Sequence, residues 1–309
     1  MEGLTLMIQL DKLSTERHNP KTTELDMMSV TEILHIMNEE DQKVANAITR
    51  ILPKIESAIE IVYEKLTAQG RLFYMGAGTS GRLGLLDAVE CPPTFSTDPN
   101  MVQAVLAGGL DAVMVAVEGA EDNFDLGIAD LMYRKFSSND VVIGIAASGR
   151  TPYVAGGLSY AQSIGAKTIS LTSNTESLVS TYADVAIEVD TGPEILTGST
   201  RLKAATAHKM VLNMISTVAM IRLGKVYKNL MVDVRASNHK LQERAKKIVC
   251  EATGFTYEEA ELALEETEYN VKQAIIMILT KTNAQEAAIL LQKANGKVRL
   301  AIIEGGAEE

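Results

Sequence analysis

Two stretches of the chain place small residues and hydroxyls where an apolar run gives way to a helical pattern. GAGTSGRLG (76–84) follows LFYM, and AASGRTPY (146–153) follows VVIGI. Glycine lets backbone N–H groups approach an anion closely. A helix N-terminus adds unpaired donors and a favourable dipole. Thr79 and Ser80 beside Gly81, and Ser148 and Thr151 around Gly149 and Arg150, therefore form two candidate cradles for one phosphate and part of its sugar. Either turn alone reads equally well as an N-capped strand–helix connection; two at one sheet edge favour a ligand site. GAGTSG also fits G-x-G-x-x-G through Gly76, Gly78 and Gly81. A dinucleotide reading, however, needs an acidic residue about 20 positions on, and the next apolar run, VQAVLAGG, ends in glycines.

A third turn, in TGSTRLKAATAHK (197–209), puts Thr197, Ser199 and Thr200 before a helix that carries Arg201 and Lys203. Cations at a helix start oppose its dipole and call for an anionic partner. The plainer alternative is a capped helix with solvated basic residues. Two carboxylates complete the candidate chemistry. Glu90 is expected to end the helix begun at the first cradle, with Pro92 and Pro93 stopping it. Glu121 lies in VEGAED (117–122), just past an expected helix end at Gly119. If one is partly desolvated, the pair can divide acid and base work near neutral pH; by spacing alone each also reads as a surface glutamate, and Glu118 and Asp122 compete with Glu121. The histidines His18, His35, His208 and His239 have no metal-ligand spacing. His35 is expected to pack at an interface; His208, on the long helix after the third turn, is expected to be structural, with an approach to the site as the alternative. No nucleophile elbow, phosphate-loop lysine motif or zinc pattern is present.

These residues need elements to hold them. RLFYMGAG (71–78), VQAVLAGG (102–109), VVIGIAASG (141–149), KTISLTSN (167–174) and VAIEVDTG (185–192) are short apolar runs separated by helical stretches. That alternation predicts an α/β fold with a parallel sheet covered on both faces. Helical spacing of Val30, Ile33, Leu34 and Met37, then of Val44, Ile48 and Ile51, predicts helices before the sheet, with Pro53 a break or restart. A long apolar helix is expected from about Ser199 to Leu223. In the tail, EEAELALEETEYNVKQAII (258–276) aligns without gaps to QEAAILLQKANGKVRLAII (285–303). The shared positions are mostly apolar and predict two similar helical hairpins packed on each other, with a partner-binding surface as the alternative. The expected division is an N-terminal helical segment (1–60), a sheet domain (61–237) and a small all-helical domain (238–309).

The chain has 309 residues, of which 46% are hydrophobic and 22% charged, and a net charge of -11. That is ample for a core. The acidic balance disfavours nucleic acid, which needs clustered Lys and Arg. No apolar run reaches about 18 residues, so no membrane span is expected. The first residues lack a basic-then-apolar leader. Two cysteines, Cys91 and Cys250, give no disulfide framework and fit a reducing, cytoplasmic setting.

Taken together, GAGTSGRLGLLDAVECPPTF, LAGG, VEGAED, VVIGIAASGRTPYV, TGSTRLKAATAHKMVLNMIST and GKVYKNLMVDVRASN, with LSTERHNPKT near the start, closely resemble the N-acetylmuramic acid 6-phosphate etherase family. The resemblance covers roughly residues 13–254. It implies a sugar isomerase (SIS) domain, a flavodoxin-like parallel sheet flanked by helices that binds phosphosugars and commonly pairs as a homodimer sharing its sites. It implies conversion of N-acetylmuramic acid 6-phosphate and water to N-acetylglucosamine 6-phosphate and D-lactate in cell-wall sugar recycling, with no metal or organic cofactor. The family's two key glutamates match Glu90 and Glu121, and its phosphate-binding hydroxyls match the region of Ser80, Ser148 and Thr151. VYKNL, KAATAHK and STVAM depart from the usual VYGNL, KAGTAQK and STGVM, which puts the site shape around Ala205 and His208 in question. The competing readings are a phosphosugar-sensing regulator without catalysis and an aldose–ketose phosphate isomerase.

Overall fold

Each of the five apolar runs forms a strand. In the computed structural model, which describes residues 13–115, 117–234 and 238–307, they are β1 (Leu72–Gly76), β2 (Val102–Leu106), β3 (Val141–Ile145), β4 (Lys167–Thr172) and β5 (Val185–Glu188). All pairings are parallel, in the order β2-β1-β3-β4-β5. Every residue of β1 and β3 is buried, which is why these segments read as unbroken apolar runs rather than as alternation. Parallel strands need crossovers. These are α4 (Gly78–Phe95), α5 (Phe124–Tyr133) and α6 (Pro152–Ser163), with a 3-10 turn at Leu178–Tyr182 before β5. Ahead of the sheet lie α1 (Val30–Asp41), α2 (Lys43–Thr49) and α3 (Leu52–Thr67); after it comes α7 (Lys203–Arg222). The fold is α/β, a five-stranded parallel sheet with flanking helices.

Contacts divide the chain into two compact units, Met1–Ala88 with Asn100–Ile215 and Val89–Pro99 with Ser216–Glu309. Residues 1–12 of the expected N-terminal segment, 235–237 at the end of the expected sheet domain and 308–309 at the end of the expected helical domain lie outside the described residues.

In the first unit, the N-terminal end of the sheet is fastened by one carboxylate. Asp140, 2% exposed, accepts from the Arg71 backbone N–H at 2.9 Å, from Arg71 Nε at 3.1 Å and Nη2 at 2.8 Å, and from Ser137 N and Oγ at 2.8 and 3.0 Å. It joins the residue before β1 to the residue before β3. Burial alone would push its carboxyl up, but the Arg71 guanidinium and the Ser137 donors hold it below the ordinary aspartate value.

Two sequence expectations need correction. α4 does not stop at Glu90; it runs through Pro92 and Pro93 to Phe95, and Ser96 turns away with φ 49°. Proline's fixed φ suits a helix, and its cost is a lost donor toward the carbonyl four residues back, a loss confined here to the last turn and a half. The segment before Gly119 is not a full helix but a 3-10 turn at Leu110–Val113.

The second unit contains a small antiparallel pair, β6 (Val226–Tyr227) and β7 (Leu230–Met231), and α8 (His239–Thr253), α9 (Tyr257–Glu266), α10 (Val271–Thr280), α11 (Ala284–Lys293) and α12 (Val298–Glu304). The aligned repeat coincides with α9–α10 and α11–α12. Glu259 and Glu286 occupy the same place in two capping boxes, with Thr256 and Asn283 as the caps. Ala260 and Ala287, Val271 and Val298, Ala274 and Ala301, and Ile275 and Ile302 are all buried. The pair Ile276 and Ile303 breaks the symmetry: the first is fully buried and the second is 55% exposed. Among the described residues no single helix is long and apolar enough to cross a membrane.

Candidate active site

With the strand order 2-1-3-4-5, chain connections leave β1 and β3 in opposite directions, and the crevice beyond their carboxyl ends is where such sheets bind ligands. Both predicted cradles open there. A cavity of about 200 Å3 is lined by Gly78, Thr79 and Ser80 at the start of α4, by Ala147, Ser148 and Thr151 before α6, and by Glu121. The first N–H groups of α4 have no intrahelical acceptor.

The hydroxyls are free for a ligand. Thr151 is the N-cap residue of α6, yet its side chain makes no capping bond, so the plain capped-turn reading fails at that residue. Ser148 Oγ accepts from Arg150 N at 3.3 Å and keeps its own proton to donate. Thr79 and Ser80, both half-buried, have no side-chain partner among the described residues. Gly81, Gly149 and Arg150 shape the turns without lining the cavity. A Cβ at Gly81 would meet Leu106 Cδ1 at 2.1 Å, and one at Gly149 would meet Ser177 Oγ at 2.1 Å, with φ at 72°. Arg150 Nε is buried without a partner.

The third turn contributes less than its composition suggests. Thr200 and Gly198 line the cavity; Ser199 and Lys203 do not. Lys203 is 1% exposed, and its ammonium lies 2.6 Å from Glu40 Oε2. Burial pushes the Glu40 carboxyl up, but Lys203 and Lys43 hold it below its ordinary value. The anion that the helix-start cation calls for is therefore internal. The α7 N-terminus is closed as well. Glu194, 1% exposed, accepts from Lys203 N at 3.1 Å and Ala204 N at 3.0 Å. Its desolvation outweighs those bonds and raises its pKa. Arg201 is exposed.

Of the three carboxylates in VEGAED, only Glu121 lines this cavity. It also lines a neighbouring one of about 180 Å3, which Glu118 and Asp122 share. The Glu121 carbonyl accepts from Tyr153 N at 3.0 Å, which ties its turn to the first turn of α6. Glu90 is exposed on α4, ten positions beyond Ser80. Among the described residues no group of three His, Cys, Asp or Glu side chains is arranged to hold a metal ion.

The lining also includes Glu16, which sequence reasoning missed, and His208, which it favoured as structural while allowing an approach to the site. His208 is fully buried. Its Nε2 pairs with Ser173 Oγ at 3.0 Å, and its Nδ1 has no partner. Burial pushes its pKa down to about 4, against a smaller opposing effect of the Thr172 backbone, so the imidazole is neutral. Ala205, the other departure from the family pattern, lines the same cavity. The one signal for His208 was that departure; for Glu16 it was the N-terminal stretch LSTERHNPKT.

A model of the glucokinase regulatory protein N-terminal SIS domain matches residues 43–162, and a SIS domain model matches 125–218. The chain is 55% identical over 295 residues to N-acetylmuramic acid 6-phosphate etherase 2 of Lactiplantibacillus plantarum, covering 96% of this chain and 100% of that one. It is 58% identical over 293 residues to N-acetylmuramic acid 6-phosphate etherase of a Geobacillus species, covering 95% and 99%. Among solved structures, a phosphoheptose isomerase from Francisella tularensis aligns with a TM-score of 0.48 at 14% identity, over 63% of this chain and 100% of that one.

Proposed function

The chain belongs to the N-acetylmuramic acid 6-phosphate etherase family, and from that premise we propose that it cleaves the D-lactyl ether of N-acetylmuramic acid 6-phosphate, giving N-acetylglucosamine 6-phosphate and D-lactate. The chain is a carbon–oxygen lyase. One observation carries the reading at this site: a carboxylate, Glu121, shares one cavity with the hydroxyls of Ser80, Ser148 and Thr151 and the open start of α4.

The chemistry follows from what an ether at C3 of a sugar requires. Ring opening exposes an aldehyde at C1 that acidifies the C2 hydrogen. A carboxylate removes that proton, the C3–O bond breaks, and an acid protonates the departing lactyl oxygen. Water then adds to the unsaturated aldehyde, its hydroxyl at C3 and a proton at C2. The hydroxyls and the α4 start hold the phosphate. Glu121 acts as base or water activator and Glu90 as acid. The Glu90 that serves a given cavity is supplied by a second copy of the chain, in a homodimer with shared sites. The exposure of Met27 (79%), Val30 (74%) and Leu34 (59%) supports pairing. We place the enzyme in the cytoplasm, where cell-wall sugars are recycled.

Incubation with N-acetylmuramic acid 6-phosphate should release D-lactate, and Glu90→Gln should abolish release while leaving phosphosugar binding largely intact. Interconversion of the sugar without lactate, or saturable binding without any product, would overturn the assignment. Undiminished release by Glu90→Gln would remove that residue from the mechanism.

A further inference from the structure

We propose that residues 13–22 form a fixed wall of this cavity and that Glu16 touches the substrate there, accepting a hydrogen bond from a neutral O–H or N–H of the phosphosugar at the end away from its phosphate. The inference rests on the phosphosugar reading above and adds a recognition element to it.

The segment is tied down at several points. Leu13, Thr15 and Asn19 are 6%, 2% and 4% exposed. Asn174 bridges it to the second cradle: its Oδ1 accepts from Thr15 N at 3.3 Å, and its Nδ2 donates to Thr15 Oγ1 and to the Ala147 carbonyl, each at 3.0 Å. Ala147 immediately precedes Ser148. Farther along, Ser14 Oγ donates to Asp190 at 2.6 Å and Asn19 Nδ2 to the Pro193 carbonyl at 3.4 Å. Between these anchors Glu16 is half-buried and lines the cavity. Its Oε2 reaches toward the 197–200 turn, 3.2 Å from where a Cβ on Gly198 would stand. Among the described residues its carboxylate has neither a hydrogen bond nor an ion pair.

A carboxylate held in place without a partner, inside a cavity that several hydroxyls and the Glu121 carboxylate also line, is an acceptor waiting for a donor. A phosphate does not fill that role, because two like charges in so small a space repel. The phosphate therefore settles at the α4 start, and Glu16 faces the sugar's hydroxyls or acetamido N–H. Two parts of one cavity then read two parts of one ligand, which fixes the direction in which the sugar lies. Hydrogen bonds to charged groups are the stronger kind, and losing one corresponds to roughly a ten- to hundredfold loss of affinity.

The test uses the full-length enzyme and the variants Glu16→Ala and Glu16→Gln. KM for N-acetylmuramic acid 6-phosphate should rise about ten- to hundredfold in Glu16→Ala, with the smaller change in kcat. Glu16→Gln, which keeps a carbonyl acceptor, should fall between. Inhibition by inorganic phosphate probes the cradle alone and should be unchanged or tighter. Phosphate inhibition that weakens in step with KM would mean the segment only props the cradle, and wild-type kinetics in Glu16→Ala would mean the residue touches nothing; either result overturns the proposal. A wild-type chain that releases no lactate sinks the etherase reading instead. Binding of N-acetylglucosamine 6-phosphate against inorganic phosphate, compared between wild type and Glu16→Ala, still decides the role of Glu16 in that case.

Discussion

The two ends of the five-stranded sheet treat polar groups in opposite ways. At the N-terminal end Asp140 answers five donors from Arg71 and Ser137, and its charge is balanced. At the C-terminal end Thr151 declines to cap its own helix, Ser148 keeps a proton to give, and His208 Nδ1 is buried with nothing to bond. Unmet hydrogen-bonding capacity costs stability. One end of the sheet is built to hold the fold, and the other leaves bonds unmade for a ligand to complete.

Substitutions can sharpen that contrast or break it. The largest effect is expected from Glu121→Gln, which should slow lactate release by about a hundred- to ten-thousandfold with no change in the thermal midpoint; a matching loss of stability would erase the distinction between the two ends. Asp140→Ala should do the reverse. Removing one partner of a buried pair costs about 3–5 kcal/mol, and because Arg71 remains 27% exposed the expected loss is nearer about 2–4 kcal/mol, read from urea midpoints, with kcat in buffer unchanged. Since the folded Asp140 pKa is lowered, its contribution is present above the unfolded aspartate pKa and disappears as the pH falls through the folded value.

His208 should give a smaller, pH-dependent signal. Its folded pKa of about 4 lies below the ordinary 6.5. Between those values the unfolded chain takes up a proton that the folded chain refuses, so stability falls as the solution is acidified through that window. From pH 7 to pH 5 the wild type should lose about 2 kcal/mol more than His208→Gln; equal losses would mean the imidazole titrates normally. The smallest effect is expected for Ser148→Ala: a rise in KM of about tenfold or less at constant stability.

Much of this architecture was visible in the sequence. The five strands stand where their apolar runs stand because strands buried on both faces leave no alternation to decode. The two cradles were visible because glycine and hydroxyl residues cluster where strand meets helix. What stayed hidden depends on distant pairing. Nothing local to Lys203 announces Glu40, 163 positions away, so a lysine at a helix start reads as a phosphate ligand until the fold neutralises it. Glu16 is an ordinary glutamate until Asn174 draws its segment against the Ala147 carbonyl. His208 lies on an apolar helix, where a buried ring and a cavity-lining ring leave the same trace. The run of α4 past Pro92 was misread for a different reason: the breaking power of proline depends on how much helix follows it, and here little does.

The carboxylate of Glu194 has a consequence beyond closing α7. Three helix starts point toward the same crevice, and an incoming anion could be misplaced among them. By supplying its own counterion at one of them, the protein removes a decoy. A ligand with a single phosphate is then left with the two hydroxyl-lined starts, α4 and α6, and the rest of its skeleton is placed against the acid–base groups from there.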